Sequence, residues 1–303
     1  KAMNQMTFKQ LEAFYWAATC GSFAIASEKL HISQSSLSKR LAELETALKR
    51  PLFNRDGRRA VLTADGRALL PRAKALLNHA DEVVASVGAA QAIQGRCRFG
   101  VGEIAASSWL PKLVSALRTR HPQLKLEPYV NLGVELESSL LSGKLDAAII
   151  ARPSSHPALA SVLLAQAEYI WVAAPDVIKP GCLVEEIVGE LPVVTMAPHA
   201  GSTRLLDDWC RESGAVACDI IESNSMATIA GLISAGIAIG YLPRGWLKPM
   251  LQNKAVIPMP SNTPLRKREY RFYWRQDDSR PVIAALREMS LKAVDYDTPF
   301  LML

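Results

Sequence analysis

With 303 residues, 49% of them apolar and 21% charged, the chain has ordinary globular composition and enough length for two or three domains with cores of their own. The net charge of +6 is uneven: residues 1–66 carry ten Lys/Arg against six Asp/Glu, which points to a polyanion partner for that part and none for the rest. The start, Lys1 to Met6, is polar and leads straight into a helix cap, so no signal peptide is expected; five cysteines with no Cys-x-x-Cys read as reduced thiols in a cytoplasm, not a disulfide framework.

The first predicted helix opens with Thr7 and Gln10 as a capping box, carries Phe8, Leu11, Phe14 and Ala18 on its apolar positions, and stops at Gly21. Ser22 caps a short second helix over 23–30, and His31-Ile32 turn the chain into Ser33, the N-cap of a third helix reaching Leu48. Leu37, Leu41, Leu44 and Leu48 recur at spacings of four, three and four and are expected as one buried stripe. The opposite face carries Gln34, Ser35, Ser38 and Lys39, followed by Arg40. These side chains are polar or cationic and crowd the first turns, as a helix entering a DNA major groove requires. Helix, short helix, tight turn, polar-faced helix is the helix-turn-helix order. After Pro51-Leu52-Phe53, Asp56-Gly57 between short apolar runs signals a hairpin, and Arg55, Arg58 and Arg59 around it would make a cationic wing beside the groove.

These residues resemble the LysR-type transcriptional regulators. The likeness rests on Phe8-Lys9-Gln10-Leu11-Glu12-Ala13-Phe14, Gly21-Ser22-Phe23, Ile32-Ser33-Gln34, Ser38-Lys39-Arg40-Leu41, Leu52-Phe53-Asn54-Arg55 and Leu62-Thr63. The family commonly has Pro-Ala after the Ser-Gln, where this chain has Ser35-Ser36. The resemblance implies a winged helix-turn-helix over 1–63, a dimerising linker helix over 64–93, and a bilobed, periplasmic-binding-protein-like α/β effector domain over 94–303. Within the last, lobe I is 94–165 plus 269–303 and lobe II is 166–268. It further implies promoter DNA and a small-molecule effector as partners, and a homodimer that assembles into a homotetramer.

The residues from Ala64 onward read independently in the same direction. Leu69, Ala73, Leu76, Ala80, Val83 and Val87 alternate spacings of four and three, the seam of a two-stranded coiled coil, so this helix is expected to pair with a copy of itself. Pro71 lies near its start and is expected to bend it. Beyond the break at Gln91, Gln94 and Gly95, short apolar strands alternate with helices. Strands are predicted at 97–101, 126–130, 147–151, 169–173, 193–196, 220–222, 237–242 and 270–274, and helices at 110–120, 134–142, 203–213, 226–235 and 281–294. That order predicts mostly parallel sheets, in two lobes joined by two crossings near 164–168 and 265–269. The uncharged apolar run 226–243 is broken by Gly231, Gly236 and Gly240, so a buried helix followed by a buried strand is expected there instead of a membrane span.

Ligands in open α/β sheets sit beyond the carboxyl ends of the strands. That rule nominates Glu103, Ser107, Ser108, Asn131, Arg152, Ser202, Thr203, Arg204 and Asn224, on the loops where the family's effector contacts fall. Ser107 and Ser202 are expected to open helices whose free N–H groups favour anions, so a carboxylate-bearing effector paired with Arg204 or Arg152 is expected. Glu103 is unusual in such a pocket and implies either a solvent-facing side chain or an effector with a cationic or donor group. The five histidines show no ligand spacing, and no nucleotide loop, nucleophile elbow or dinucleotide fingerprint occurs, so no catalysis, metal or cofactor is expected. Some LysR-type regulators sense peroxide through a cysteine pair. Cys210 falls where the resolving cysteine of that subgroup sits, but Gly201 stands at the reactive position. The competing reading, a solute-binding protein or enzyme built on the C-terminal lobes with an accessory N-terminal docking module, predicts that residues 1–90 are dispensable.

Overall fold

The structure is a computed structural model that describes residues 6–20, 22–54, 61–87, 93–151, 153–179, 181–197 and 203–298. The N-terminal domain is α1 (Phe8–Cys20), α2 (Phe23–Lys29), α3 (Gln34–Leu48) and a two-stranded ribbon of β1 (Phe53–Asn54) and β2 (Val61–Leu62). The signals at Thr7 and Ser33 act as the sequence spacing predicts, whereas Ser22 sits at the N-cap of α2 without a side-chain cap bond. Thr7 N donates to Gln10 Oε1 at 2.9 Å and Gln10 N donates to Thr7 Oγ1 at 3.3 Å, closing the capping box. Ser33 Oγ accepts from Ser36 N at 3.1 Å, and Lys49, at φ 53°, ends α3 in a left-handed turn. Leu37, Leu41 and Leu44 are buried against Leu11, Phe14, Leu52 and Phe53, whereas Leu48, expected in the same stripe, is 36% exposed because the last turn of α3 runs past that core.

α4 (Ala64–Val87) starts where Thr63 Oγ1 accepts from Gly66 N at 3.0 Å. A Cβ on Gly66 would lie 2.2 Å from Leu52 O, so only glycine lets the helix begin this close to the chain entering β1. The expected seam divides. Ala73 is fully buried in the N-terminal core with Leu69 packed beside it, while Leu76 and Val83 are 46% and 55% exposed.

Lobe I contains β3 (Gly95–Val101), α5 (Glu103–Ala106), α6 (Leu110–Arg120), β4 (Leu124–Val130), α7 (Gly133–Leu141), β5 (Ala147–Ile150) and β6 (Leu159–Ala167). Lobe II follows with β7 (Tyr169–Ala173), α8 (Val184–Ile187), β8 (Val193–Met196), α9 (Thr203–Ser213), β9 (Ile220–Ser223), α10 (Met226–Ser234), β10 (Ile239–Pro243), α11 (Lys248–Gln252) and β11 (Ile257–Pro258). The chain then returns to lobe I as β12 (Arg268–Arg275) and α12 (Pro281–Ala293). The sheet orders are β4-β3-β5-β12-β6 and β11-β7-β10-β8-β9. Both sheets are mixed, a correction to the mostly parallel expectation. β3 pairs in parallel with β4 and β5, and β8 with β9 and β10, but β12 runs antiparallel to both β5 and β6, and β7 antiparallel to β10 and β11. β7 and β12, which enter each lobe from the other, start at the cleft end where the parallel strands finish, which reverses them. In the apolar run 226–243, α10 stops, Gly236 takes φ 70°, and β10 follows; no helix among the described residues is long and apolar enough to cross a membrane.

Candidate functional site

Between the lobes lies a cavity of about 400 Å³, within the size range of small-molecule sites. The carboxyl ends of β3, β4 and β5 supply Glu103, Asn131 and Ile150 to its lining, β8 supplies Met196, the turn before α10 supplies Asn224, and α10 supplies Met226. Of the nominated residues the fold therefore brings Glu103, Asn131 and Asn224 together. Sequence reasoning missed Glu135 of α7 and the floor, Tyr169 and Tyr270, whose hydroxyls share a buried 2.9 Å hydrogen bond. Burial pushes both phenols up, so they remain neutral donors and acceptors. Tyrosines at the first residues of strands flanking a crossing were the available signal.

The Glu103 carboxylate reaches across the cleft to the start of α10, where Oε2 accepts from Met226 N at 2.7 Å. Ser107 and Ser108 are corrections. They do not open a helix, because α6 begins at Leu110, and neither lines the cavity. Ser108 is buried with its hydroxyl on Ile104 O at 2.6 Å, and Ser107 Oγ accepts from Trp246 Nε1 of lobe II at 2.9 Å, a further bond between lobes. Arg204 is exposed at the start of α9 and is absent from the described lining; Arg152 and Ser202 lie outside the described residues, as does the side chain of Thr203. Among the described lining residues the charged ones are acids, Glu103 and Glu135. At the start of β12, Arg268 keeps Nε and one terminal nitrogen buried without hydrogen-bond partners among the described residues, in the field of Tyr169 and Tyr270; burial lowers its basicity.

The second candidate surface is α3. Gln34, Ser38 and Lys39 are exposed and Arg40 is half-buried, opposite the buried leucines. Ser35 is exposed, but its hydroxyl shares a 2.9 Å bond with Ser33 Oγ at the cap. Arg55, Arg58 and Arg59, expected to form a cationic wing, lie outside the described residues.

An interface unforeseen from the sequence docks α1 and α2 on lobe I, at the ends of the strands opposite the cavity. Asp146, just before β5, is buried between Lys29 Nζ of α2 at 3.0 Å and Arg280 Nη2 at 2.5 Å, and its Oδ2 accepts from Arg98 N at 2.7 Å. Burial alone would raise its pKa, but Arg280 and Lys29 outweigh that and hold the carboxyl down at about 2. Tyr15 Oη donates to Asp277 O at 2.6 Å and Arg275 Nη1 to Thr19 O at 3.0 Å. The Trp16 ring sits among cations, with Lys29 Nζ 4.2 Å and the Arg280 guanidinium 5.1 Å from its centroid. Gly143 approaches so closely that a Cβ there would lie 2.7 Å from Cys20 Sγ. The cysteines are all free thiols; burial pushes Cys210 up, and Cys218 is exposed.

Residues 8–67 match the family model described as "Bacterial regulatory helix-turn-helix protein, lysR family", and residues 90–295 match "LysR substrate binding domain". A Mycobacterium leprae protein described as "Probable hydrogen peroxide-inducible genes activator" is 30% identical over 246 residues, 79% of this chain and 78% of its own. A mutant of Corynebacterium glutamicum OxyR superposes with TM-score 0.59 at 25% identity, over 95% of this chain and 92% of that one. Full-length LysG of the same species with bound effector Arg superposes at TM-score 0.61 over 95% of this chain and 98% of that one; its 20% identity speaks to the fold alone. With a helix-turn-helix domain, a two-lobed domain around a cavity and both family models matched in order, the chain belongs to the LysR family of DNA-binding transcriptional regulators, which respond to small-molecule effectors.

Proposed function

We propose that α3 reads promoter DNA through Gln34 and Ser38 at base edges and through Lys39 and Arg40 at phosphates, with Ser35 shaping the cap and Arg55, Arg58 and Arg59 adding wing contacts. The observation that carries this reading is the exposed polar start of α3, backed by leucines buried in the domain core. The cavity between the lobes takes the effector, a small molecule whose body packs on Leu136, Ile150, Met196 and Met226. Its anionic end goes to Arg152 after β5 or to Ser202, Thr203 and Arg204 at the start of α9, with the unmet donors of Arg268 near Arg204. The exposed second half of α4, at Leu76 and Val83, pairs with a second copy, and dimers associate into a tetramer. Functional parts then divide as reader 1–63, dimerising helix 64–93 and effector domain 94–303. Promoter reading requires a cytoplasmic location, and the reading assigns no catalysis.

A footprint on promoter-proximal DNA that weakens steeply with salt is the expected result. Gln34→Ala should cost about 1–3 kcal/mol and relax choice at one base position. Full affinity with unchanged preference would refute the placement of α3. For the cavity, a thermal-shift screen of small polar metabolites should find a ligand that raises the melting temperature by mass action. Alanine at both Ser202 and Thr203 should remove that response while promoter binding persists.

A further inference from the structure

The start of α10 is a cation-like end that the protein has filled for itself. Its first free amides are all accounted for: Met226 N donates to Glu103 Oε2 at 2.7 Å, Ala227 N to Glu103 Oε1 at 3.4 Å, and Thr228 N to Ser225 Oγ at 3.4 Å. The Ser225 hydroxyl adds a bond to Glu103 Oε1 at 3.3 Å. Every one of these donors belongs to lobe II, whereas Glu103 is the first residue of α5 in lobe I, 123 positions earlier than Met226. A helix start favours an anion through its unpaired N–H groups and its dipole, and a carboxylate side chain meets both demands as a bound carboxylate would. A carboxylate offers about four acceptor sites, more than α10 uses, and Glu103 also lines the cavity.

We propose that Glu103 is a built-in anion: it occupies the α10 seat across the cleft, holds the lobes together there, and restricts that wall of the cavity to effectors presenting a hydrogen-bond donor or cationic group. The inference rests on reading the cleft as the effector site for its ligand class, but not for the seat itself. A carboxylate-bearing effector must place its anion elsewhere, because at α10 it would have to expel a group tethered to the chain. Glu135, the other acid of the described lining, adds negative charge at the same cavity.

The test uses the full chain, Glu103→Ala, Glu103→Gln, and sodium acetate as the probe, with sodium chloride at matched ionic strength as control. Glu103→Ala should melt about 2–4 °C lower, the shift that one charge-assisted helix-end contact gives in a domain of this size. Acetate should restore most of that loss by filling the vacated seat, and should leave the wild type unmoved. Glu103→Gln, which keeps an acceptor oxygen but not the charge, should melt between the two. A general packing role would not produce acetate-specific recovery. For the ligand class, methylammonium chloride should raise the melting temperature of the wild type and not of Glu103→Ala. The proposal is overturned if Glu103→Ala melts with the wild type, if acetate raises both alike, or if methylammonium does not distinguish them. Acetate recovery without any metabolite response in the screen would count against the effector reading alone. A retained metabolite response without acetate recovery would count against the built-in anion alone.

Discussion

The two ends of the lobe I sheet are built from the same strands and finished in opposite ways. β3, β5 and β12 each touch the effector cavity at one end, through Glu103, Ile150 and Tyr270, and the N-terminal domain at the other, through Arg98, Asp146 and Arg275. At the docking end, charges are buried and matched: the Asp146 side chain is 8% exposed between two cations. At the cavity end the walls are largely apolar, and the Tyr169 and Tyr270 hydroxyls are tied to each other. The contrast assigns one end to holding a fixed orientation and the other to accepting a visitor. Charge pairs of this kind require close geometry, and an apolar cavity tolerates different contents.

The largest expected effect tests the docking end. Asp146→Ala leaves Lys29 buried without its counter-charge and Arg280 with Asp278 alone, and should cost about 3–5 kcal/mol in urea unfolding. Asp146→Asn, which keeps an acceptor for Arg98 N, should cost less. Wild-type stability in Asp146→Ala would dissolve the comparison. The next effect is in acid. Asp146 titrates at about 2 in the folded chain and near the ordinary carboxylate value of about 3.9 when unfolded, so its contribution is complete above about pH 4 and is lost as the pH falls toward 2. That loss should be on the order of 2 kcal/mol and should be absent from the acid unfolding curve of Asp146→Asn.

At the cavity end the effects should be smaller. Tyr270→Phe strands the buried Tyr169 hydroxyl and should cost about 1–2 kcal/mol by denaturation. A loss as large as that of Asp146→Ala would show the cavity end to be equally rigid. Least of all in stability, Lys39→Ala on exposed α3 should leave the melting temperature unchanged, weaken all DNA sequences alike and reduce the salt slope by about 1.

Features set by nearby residues were readable before the fold was known. The box of Thr7 and Gln10, the Ser33 cap and the helix over Leu110–Arg120 depend on spacings of three and four. The loops that bring Asn131 and Asn224 to the cavity were placed by the apolar runs before them, although those runs, expected as buried strands, are edge strands β4 and β9 that stay largely half-buried or exposed. β6 was missed because its alternation is blurred: most of Leu159–Ala167 is half-buried, and it carries a single β-branched residue, Val162. The antiparallel entry of β12 was missed because its partner at Ile150 is over a hundred positions away from Arg271. The same distance hid the site's most specific bonds. Nothing near Glu103 announces α10, nothing near Asp146 announces Lys29 and Arg280, and Ser107 looks like a cap until Trp246 is placed beside it.

The divided seam of α4 has a consequence for how the chain can be cut. Ala73 is walled in by α1 and its neighbours, with Leu69, Leu70 and Leu77 packed around the same cluster. A fragment ending at residue 63 would contain every residue proposed to face DNA, yet would lack one wall of its own core. A fragment carried on through Leu77 would close that wall and still omit Val83. The shortest portion that folds is thus longer than the shortest portion that reads, and a monomeric reader should be obtainable by stopping between those two lengths of helix.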